Sequence, residues 1–187
     1  MISNRDKEYL LGLIKEKALF YQRIKLSSGK QSGYYIDARQ ISLSGEGAYL
    51  IAKTVFNLIK EDNIQAIGGP TVGADPIVGA VACFSELQKT PLQAFIVRKE
   101  PKKHGMQRYI EGPPLKKGMR VAIIDDVVTT GESVIRAANV AQELGCEVVK
   151  LIALIDRLEG AEERLKQLGF TLTRVFTRDD LGITPVS

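Results

Sequence analysis

The chain has 187 residues, 44% hydrophobic and 26% charged, which is one domain's worth of ordinary globular composition, able to bury a core without staples. No apolar run reaches the roughly 18 residues that span a bilayer, and the first six residues lack the basic-then-apolar layout of a signal peptide, so neither a membrane nor a secreted protein is expected. The net charge of +4 is carried by residues 98–108, where Arg98, Lys99, Lys102, Lys103 and Arg108 face only Glu100; one basic segment on a balanced body suits a local anionic ligand better than a nucleic-acid face, and with 6% aromatics and no tryptophan stacking platforms are scarce.

In chain order, residues 5–18 read as an amphipathic helix through Leu10, Leu13 and Ile14. Residues 19–26 and 34–36 read as extended, flanking the polar turn Ser27-Ser28-Gly29-Lys30-Gln31-Ser32-Gly33, so a hairpin precedes the main body. From there strand and helix alternate. A helix over 46–60 is opened by Ser44. A strand at 66–68 ends in Gly69-Pro70-Thr71-Val72-Gly73-Ala74, and a helix over 76–87 starts on Pro76. A strand at 92–97 leads into the basic loop, which runs to about Gly118. The strand 120–124 is apolar on both faces, as in the middle of a parallel sheet. A helix over 132–144 stops at Gly145. A strand at 148–155, a helix at 161–168 and a strand at 170–176 complete the chain.

Repeated strand–helix units with short connections imply right-handed crossovers and a parallel sheet covered by helices. Ligands bind beyond the carboxyl ends of such strands. The loops after Gly68, Val97, Ile124 and Ile155 are therefore expected to share one rim.

The richest segment on that rim is Val121-Ala122-Ile123-Ile124-Asp125-Asp126-Val127-Val128-Thr129-Thr130-Gly131-Glu132-Ser133. A buried strand delivers two carboxylates, and a turn of hydroxyls and glycine then opens a helix. Backbone N–H groups at that helix start suit a phosphate, and Gly131 permits close approach or a positive φ. Asp125 and Asp126 can accept hydrogen bonds from a ribose diol, or help hold Mg²⁺ through water. Together these features describe a site for a ribose 5-phosphate. Glu132 is expected to point outward. No Walker A loop and no GxGxxG occurs. Cys83 and Cys146 form no CxxC pair, and with one histidine no Cys/His metal cluster is available; two reduced, partly buried thiols and a cytoplasmic location are expected.

This string closely resembles the phosphoribosyl-diphosphate signature of the type I phosphoribosyltransferases. Three further segments resemble the orotate branch: the loop Arg98-Lys99-Glu100-Pro101-Lys102-Lys103-His104-Gly105, the amino-terminal stretch from Leu26 to Arg39, and Asp156-Arg157-Leu158-Glu159-Gly160. The resemblance implies an α/β fold with a central parallel sheet flanked by helices and an amino-terminal helix and hairpin forming a hood. It implies one domain over 1–187, with hood and base-binding segment 1–43, core 44–187 and mobile loop 98–118. It implies the reaction of orotate with phosphoribosyl diphosphate to orotidine 5′-monophosphate and diphosphate, with Mg²⁺ carried mainly by the phosphoribosyl diphosphate and no metal ligands of its own.

By the same resemblance, phosphoribosyl diphosphate meets Arg98, Lys99, Lys102, His104 and the segment Asp125, Asp126, Val127, Val128, Thr129, Thr130, Gly131, Glu132 and Ser133. Lys102 and His104 are the catalytic pair, with Lys103 the alternative to Lys102. Orotate meets Thr129 and Arg157. Lys99 is implied to reach the site of a partner in a homodimer. The residues fit this chemistry independently: leaving-group charge on diphosphate is met by preorganised cations, His104 can donate a proton, and a guanidinium suits a carboxylate. A loop of about twenty residues in a compact domain reads as a lid that excludes water. Val72-Gly73 and Ser27 replace a tyrosine-lysine pair and a lysine found in one branch, so only backbone contacts are expected there.

Two other readings remain. One is a phosphoribosyltransferase for another nucleobase, for which Arg157 has no carboxylate to bind. The other is a non-catalytic regulator that senses phosphoribosyl diphosphate and need not keep the lid cations. A fused decarboxylase barrel of about 250 residues is not expected, nor a nucleic-acid or membrane partner.

Overall fold

A computed structural model describes residues 4–21, 24–25, 31–102 and 109–183. The elements are α1 (Asn4–Lys17), β1 (Leu19–Phe20), β2 (Ile24–Lys25), β3 (Gln31–Ser32), β4 (Tyr35–Ile36), α2 (Arg39–Ser42), α3 (Gly45–Ile59), β5 (Ala66–Pro70), α4 (Asp75–Leu87), β6 (Gln93–Val97), β7 (Ile110–Glu111), β8 (Arg120–Val128), α5 (Glu132–Glu143), β9 (Glu147–Asp156), α6 (Ala161–Gln167) and β10 (Leu172–Thr177).

Local chemistry accounts for the boundaries. The Ser44 hydroxyl accepts from the Gly47 N–H at 3.1 Å and caps α3. Pro76 occupies the first turn of α4, where its missing N–H has no helical partner to lose. Gly131 precedes α5 at φ 77°. The hairpin ahead of the core consists of two short antiparallel pairs, β1 with β4 and β2 with β3; the tip of its turn lies outside the described residues.

The main sheet has the order β10-β9-β8-β5-β6-β7. Its first five strands run parallel and β7 is an antiparallel edge. Two features depart from the sequence reading. The span 98–118 is not one unbroken loop, because Ile110 and Glu111 return along β6 as β7. The strand expected to stop at Ile124 runs on to Val128. Pairing with β9 continues through Asp125, Val127 and Val128, while pairing with β5 stops at Ile123. The ladder to β9 thus carries the carboxylates inside a strand rather than in a turn.

Side chains alternate along β8. Val121 and Ile123 join a core under α5 and α6 with Val134, Ala138 and Leu165. Ala122 and Ile124 join the opposite core with Ile51, Val55 and Ile77 of α3 and α4. This alternation explains the uninterrupted apolar run. Cys146 is buried, whereas Cys83, expected to be partly buried, is exposed, because α4 turns Val81, Phe84 and Ser85 inward instead. Among the described residues no helix is long and apolar enough to cross a membrane.

Ile123 is fully buried in the strand that carries the carboxylates. Ile123→Ala is expected to lower unfolding free energy by about 3 kcal/mol, read from the shift of the urea midpoint at unchanged slope.

Candidate active site

The alternation that builds the two cores also aims the two carboxylates apart. Asp125, in phase with Val121 and Ile123, points toward α5 and accepts from the Ser133 hydroxyl at 2.5 Å. Asp126 points the other way, toward the segment that leaves β5. A Cβ added to Gly73 would stand 2.2 Å from Asp126 Oδ1, so only glycine lets that backbone lie against the carboxylate. Asp126 Oδ1 also accepts from the Val127 N–H at 2.8 Å. Burial pushes the Asp125 carboxyl up to about 8, and the charge of Asp126 adds to the effect. Burial raises Asp126 as well, against the pull of nearby N–H donors and Arg39. Two adjacent acids, one buried and one half-buried, share their protons as a pair.

These acids line a cleft of about 470 Å³. Its walls come from four strand ends and the hood: Pro70 to Gly73 after β5, Lys99 after β6, Asp125 to Val127 of β8, Arg157 after β9, and Tyr35 to Asp37 with Arg39. Ser133 and Arg136 of α5 complete it. No side chain caps α5, because its N-cap residue is Gly131, and its first-turn N–H groups remain available to an anion.

Arg157 is 4% exposed. Its Nε donates to the Tyr34 hydroxyl at 3.0 Å, its guanidinium carbon stands 4.4 Å from the Tyr34 ring centroid, and its Nη2 pairs with Glu159 at 2.8 Å. Arg39 donates from Nε to Asp37 at 2.7 Å and from Nη2 to the Tyr35 hydroxyl at 3.3 Å.

Of the segment expected to hold phosphoribosyl diphosphate, Lys99, Asp125, Asp126, Val127 and Ser133 line the cleft. Val128, Thr129, Thr130, Gly131 and Glu132 carry the chain from β8 into α5 without lining it. Arg98 and Lys102 are turned to one carboxylate: Arg98 Nη1 lies 2.9 Å and Lys102 Nζ 2.7 Å from Glu111 of β7. Their hydrogen bonds, that of Lys102 first, hold the Glu111 carboxyl below its ordinary range. Lys99 lines the cleft of its own chain. His104, with Lys103 and Gly105, lies outside the described residues.

The family described as "Phosphoribosyl transferase domain" matches residues 42–185. An orotate phosphoribosyltransferase of Aquifex aeolicus is 46% identical over 179 residues, covering 94% of this chain and 97% of that protein. The chain belongs to the orotate phosphoribosyltransferase family. A crystal structure of the Mycobacterium tuberculosis family member with Fe(III) dicitrate matches with a TM-score of 0.83 at 35% identity, covering 95% of this chain and 99% of that one. The same enzyme in complex with 5-phospho-alpha-D-ribosyl 1-diphosphate matches with a TM-score of 0.79 at 32% identity, covering 95% and 99%.

Membership in the orotate phosphoribosyltransferase family leaves several residues of this cleft that sequence reasoning passed over. Tyr34 stands on Arg157, whose salt bridge to Glu159 is within reach of sequence reasoning, Glu111 holds Arg98 and Lys102, and Arg39 and Arg136 line the wall. One of them had a readable signal. Arg136 follows Ser133 by three positions, which puts both on one face of a helix. The others depend on contacts across the fold; Arg157 and Tyr34, for instance, are 123 residues apart.

The acid pair has a consequence for stability. An Asp whose carboxyl is raised from 3.8 to about 8 keeps a proton that the unfolded chain releases. Its contribution is complete below the unfolded value and is lost as pH rises through the folded one. The ligand-free protein is expected to melt at lower temperature at pH 9 than at pH 6, and Asp125→Asn to flatten that slope. Calorimetry across this range checks it; an equal slope in the variant would assign the effect to other groups.

Proposed function

We propose that the protein transfers the 5-phosphoribosyl group of phosphoribosyl diphosphate to orotate, giving orotidine 5′-monophosphate and diphosphate, a step of UMP biosynthesis. The observation that carries this reading is the convergence in one cleft of adjacent carboxylates, one of them buried, a helix start without a side-chain cap and a clamped arginine. The N–H groups from Thr129 to Ser133 receive the 5-phosphate. Asp125 and Asp126 receive the ribose hydroxyls. Diphosphate lies along residues 70–73, where Val72 and Gly73 offer backbone alone.

Breaking the anomeric bond leaves positive charge on the ribose and sends negative charge onto diphosphate. Lys99 stands in the cleft, and Arg98, Lys102 and His104 are the lid cations and donor that meet the leaving group. Arg98 and Lys102 reach it by leaving Glu111. Arg157 takes the orotate carboxylate, with Thr129 beside it. Tyr34 and Glu159 fix the plane of the guanidinium before the ligand arrives, which removes ordering that binding would otherwise have to supply.

Among the described residues no group of three or more His, Cys, Asp or Glu could cage a metal. Two adjacent carboxylates that share their protons fit a hard cation only as minor partners, so Mg²⁺ bound mainly to phosphoribosyl diphosphate would be held from below by Asp125 and Asp126 through water. When bound it supplies charge neutralisation to the departing diphosphate. Residues 1–43 form the hood over the base and 44–187 the core, with the lid at 98–118. The working unit is a homodimer in which the Lys99 side chain, which lines its own cleft in the single chain, crosses to the neighbouring subunit's site, and the location is cytoplasmic, consistent with two free thiols.

The test is a base panel with phosphoribosyl diphosphate and Mg²⁺, in which orotate, uracil, adenine, hypoxanthine, guanine and xanthine are each assayed for nucleotide and diphosphate. Turnover of orotate alone is the expected result. Turnover of a purine, or saturable phosphoribosyl-diphosphate binding without turnover, would overturn it. Arg157→Ala is expected to raise KM for orotate roughly 10–100-fold, as the loss of a charge-assisted pair does, with KM for phosphoribosyl diphosphate changed less than about threefold.

A further inference from the structure

Among the described residues four cations line the cleft: Arg39, Lys99, Arg136 and Arg157. Arg39 is already paired with Asp37 and Arg157 with Glu159. Lys99 and Arg136 pair with no carboxylate among the described residues. Arg136 is half-buried. Its hydrogen bond runs from Nη1 to the backbone carbonyl of Lys99 at 3.0 Å, which engages one of five N–H donors. A half-buried guanidinium without a counter-charge is poorly compensated for its lost hydration. An anion in the cleft would remedy that.

The fold says which anion. β5 and β6 are neighbours in the sheet, so residues 70–73 leaving the one and Lys99 leaving the other stand side by side. Arg136 reaches across from α5 to that pair of exits, as its bond to the Lys99 carbonyl shows. The 5-phosphate, by contrast, belongs at the start of α5, a turn away.

We propose that Arg136 binds the diphosphate of phosphoribosyl diphosphate and, through the same guanidinium, ties the stem of the lid at Lys99 to that group. This rests on the reading of the cleft given above. Arg136 is then a substrate-binding residue that also couples two parts of the site, because occupancy of the diphosphate subsite is felt directly by the backbone from which the lid departs. A planar fork suits both partners, because it presents donors along two edges at fixed angles, whereas an ammonium would serve one partner at a time.

The test compares the full-length protein with Arg136→Gln and Arg136→Lys. Calorimetric titration uses two probes in Mg²⁺ buffer, inorganic diphosphate and ribose 5-phosphate. The Gln variant is expected to lose about tenfold or more in diphosphate affinity and less than twofold for ribose 5-phosphate; the Lys variant is expected to recover part of the loss. In the steady state KM for phosphoribosyl diphosphate should rise with it while KM for orotate holds. Equal weakening of both probes would mean a merely structural arginine and overturn the proposal, as would loss confined to ribose 5-phosphate or unchanged diphosphate binding. If the Gln variant fails to fold, the Lys variant decides alone: wild-type diphosphate affinity there would overturn the bridging role. The probe titrations need no turnover, so a wild-type protein inactive on orotate but sensitive at Arg136 would sink the orotate reading and leave this one standing.

Discussion

The cleft exists because β8 is paired unequally. Its ladder to β5 ends at Ile123, and its ladder to β9 continues to Val128. For five residues the central strand has a partner on one side only, and the open side is the floor of the site. A strand in that position still alternates, so Asp125 and Asp126 go to opposite faces. Each then needs something to offset its lost hydration, and the surrounding elements supply it. Ser133 at the start of α5 donates to one. The Val127 N–H and the Arg39 guanidinium favour the charge of the other. Hood, helix and the segment after β5 are thereby held to the same two side chains.

Around that floor the charges are mostly spoken for. Asp37 holds Arg39, Glu159 holds Arg157 and Glu111 holds two lid cations. The ligand-free protein therefore keeps its cations ordered at modest electrostatic strain, with geometry set before any substrate arrives. Such preorganisation matters more for a short-lived, charge-separated state than raw positive potential does.

Much of this was legible in the residues. The strand–helix alternation is set by apolar periodicity and by stop signals such as Ser44, Pro76 and Gly145, and it suffices to bring the strand ends to one rim. The Asp125–Ser133 string marks its own chemistry. What the sequence hid is of two kinds. The length of β8 depends on hydrogen bonds from β9, and the apolar run that marks the strand in the sequence stops at Ile124. β7 is two residues long and shorter than any periodicity can show. Tyr34 and Glu111 are ordinary residues whose meaning lies in contacts between segments far apart in the chain. Arg157 could be singled out from its neighbours, and Glu159 two residues on was a candidate partner for it; the Tyr34 ring that fixes it could not.

The pairing of Arg98 and Lys102 with Glu111 bears on how the proposed lid would be both tight and quick. If those cations pass to diphosphate on closing, the protein exchanges one anionic partner for another and the number of ion pairs is conserved. Neither position strands a desolvated charge, so the two arrangements differ by a small remainder of large, similar quantities. In the proposed reaction such a latch would carry its own release: the carboxylate on β7 would compete for the same cations once the leaving group had formed. The short edge strand, which adds little to the sheet, is what keeps that competitor at a fixed station.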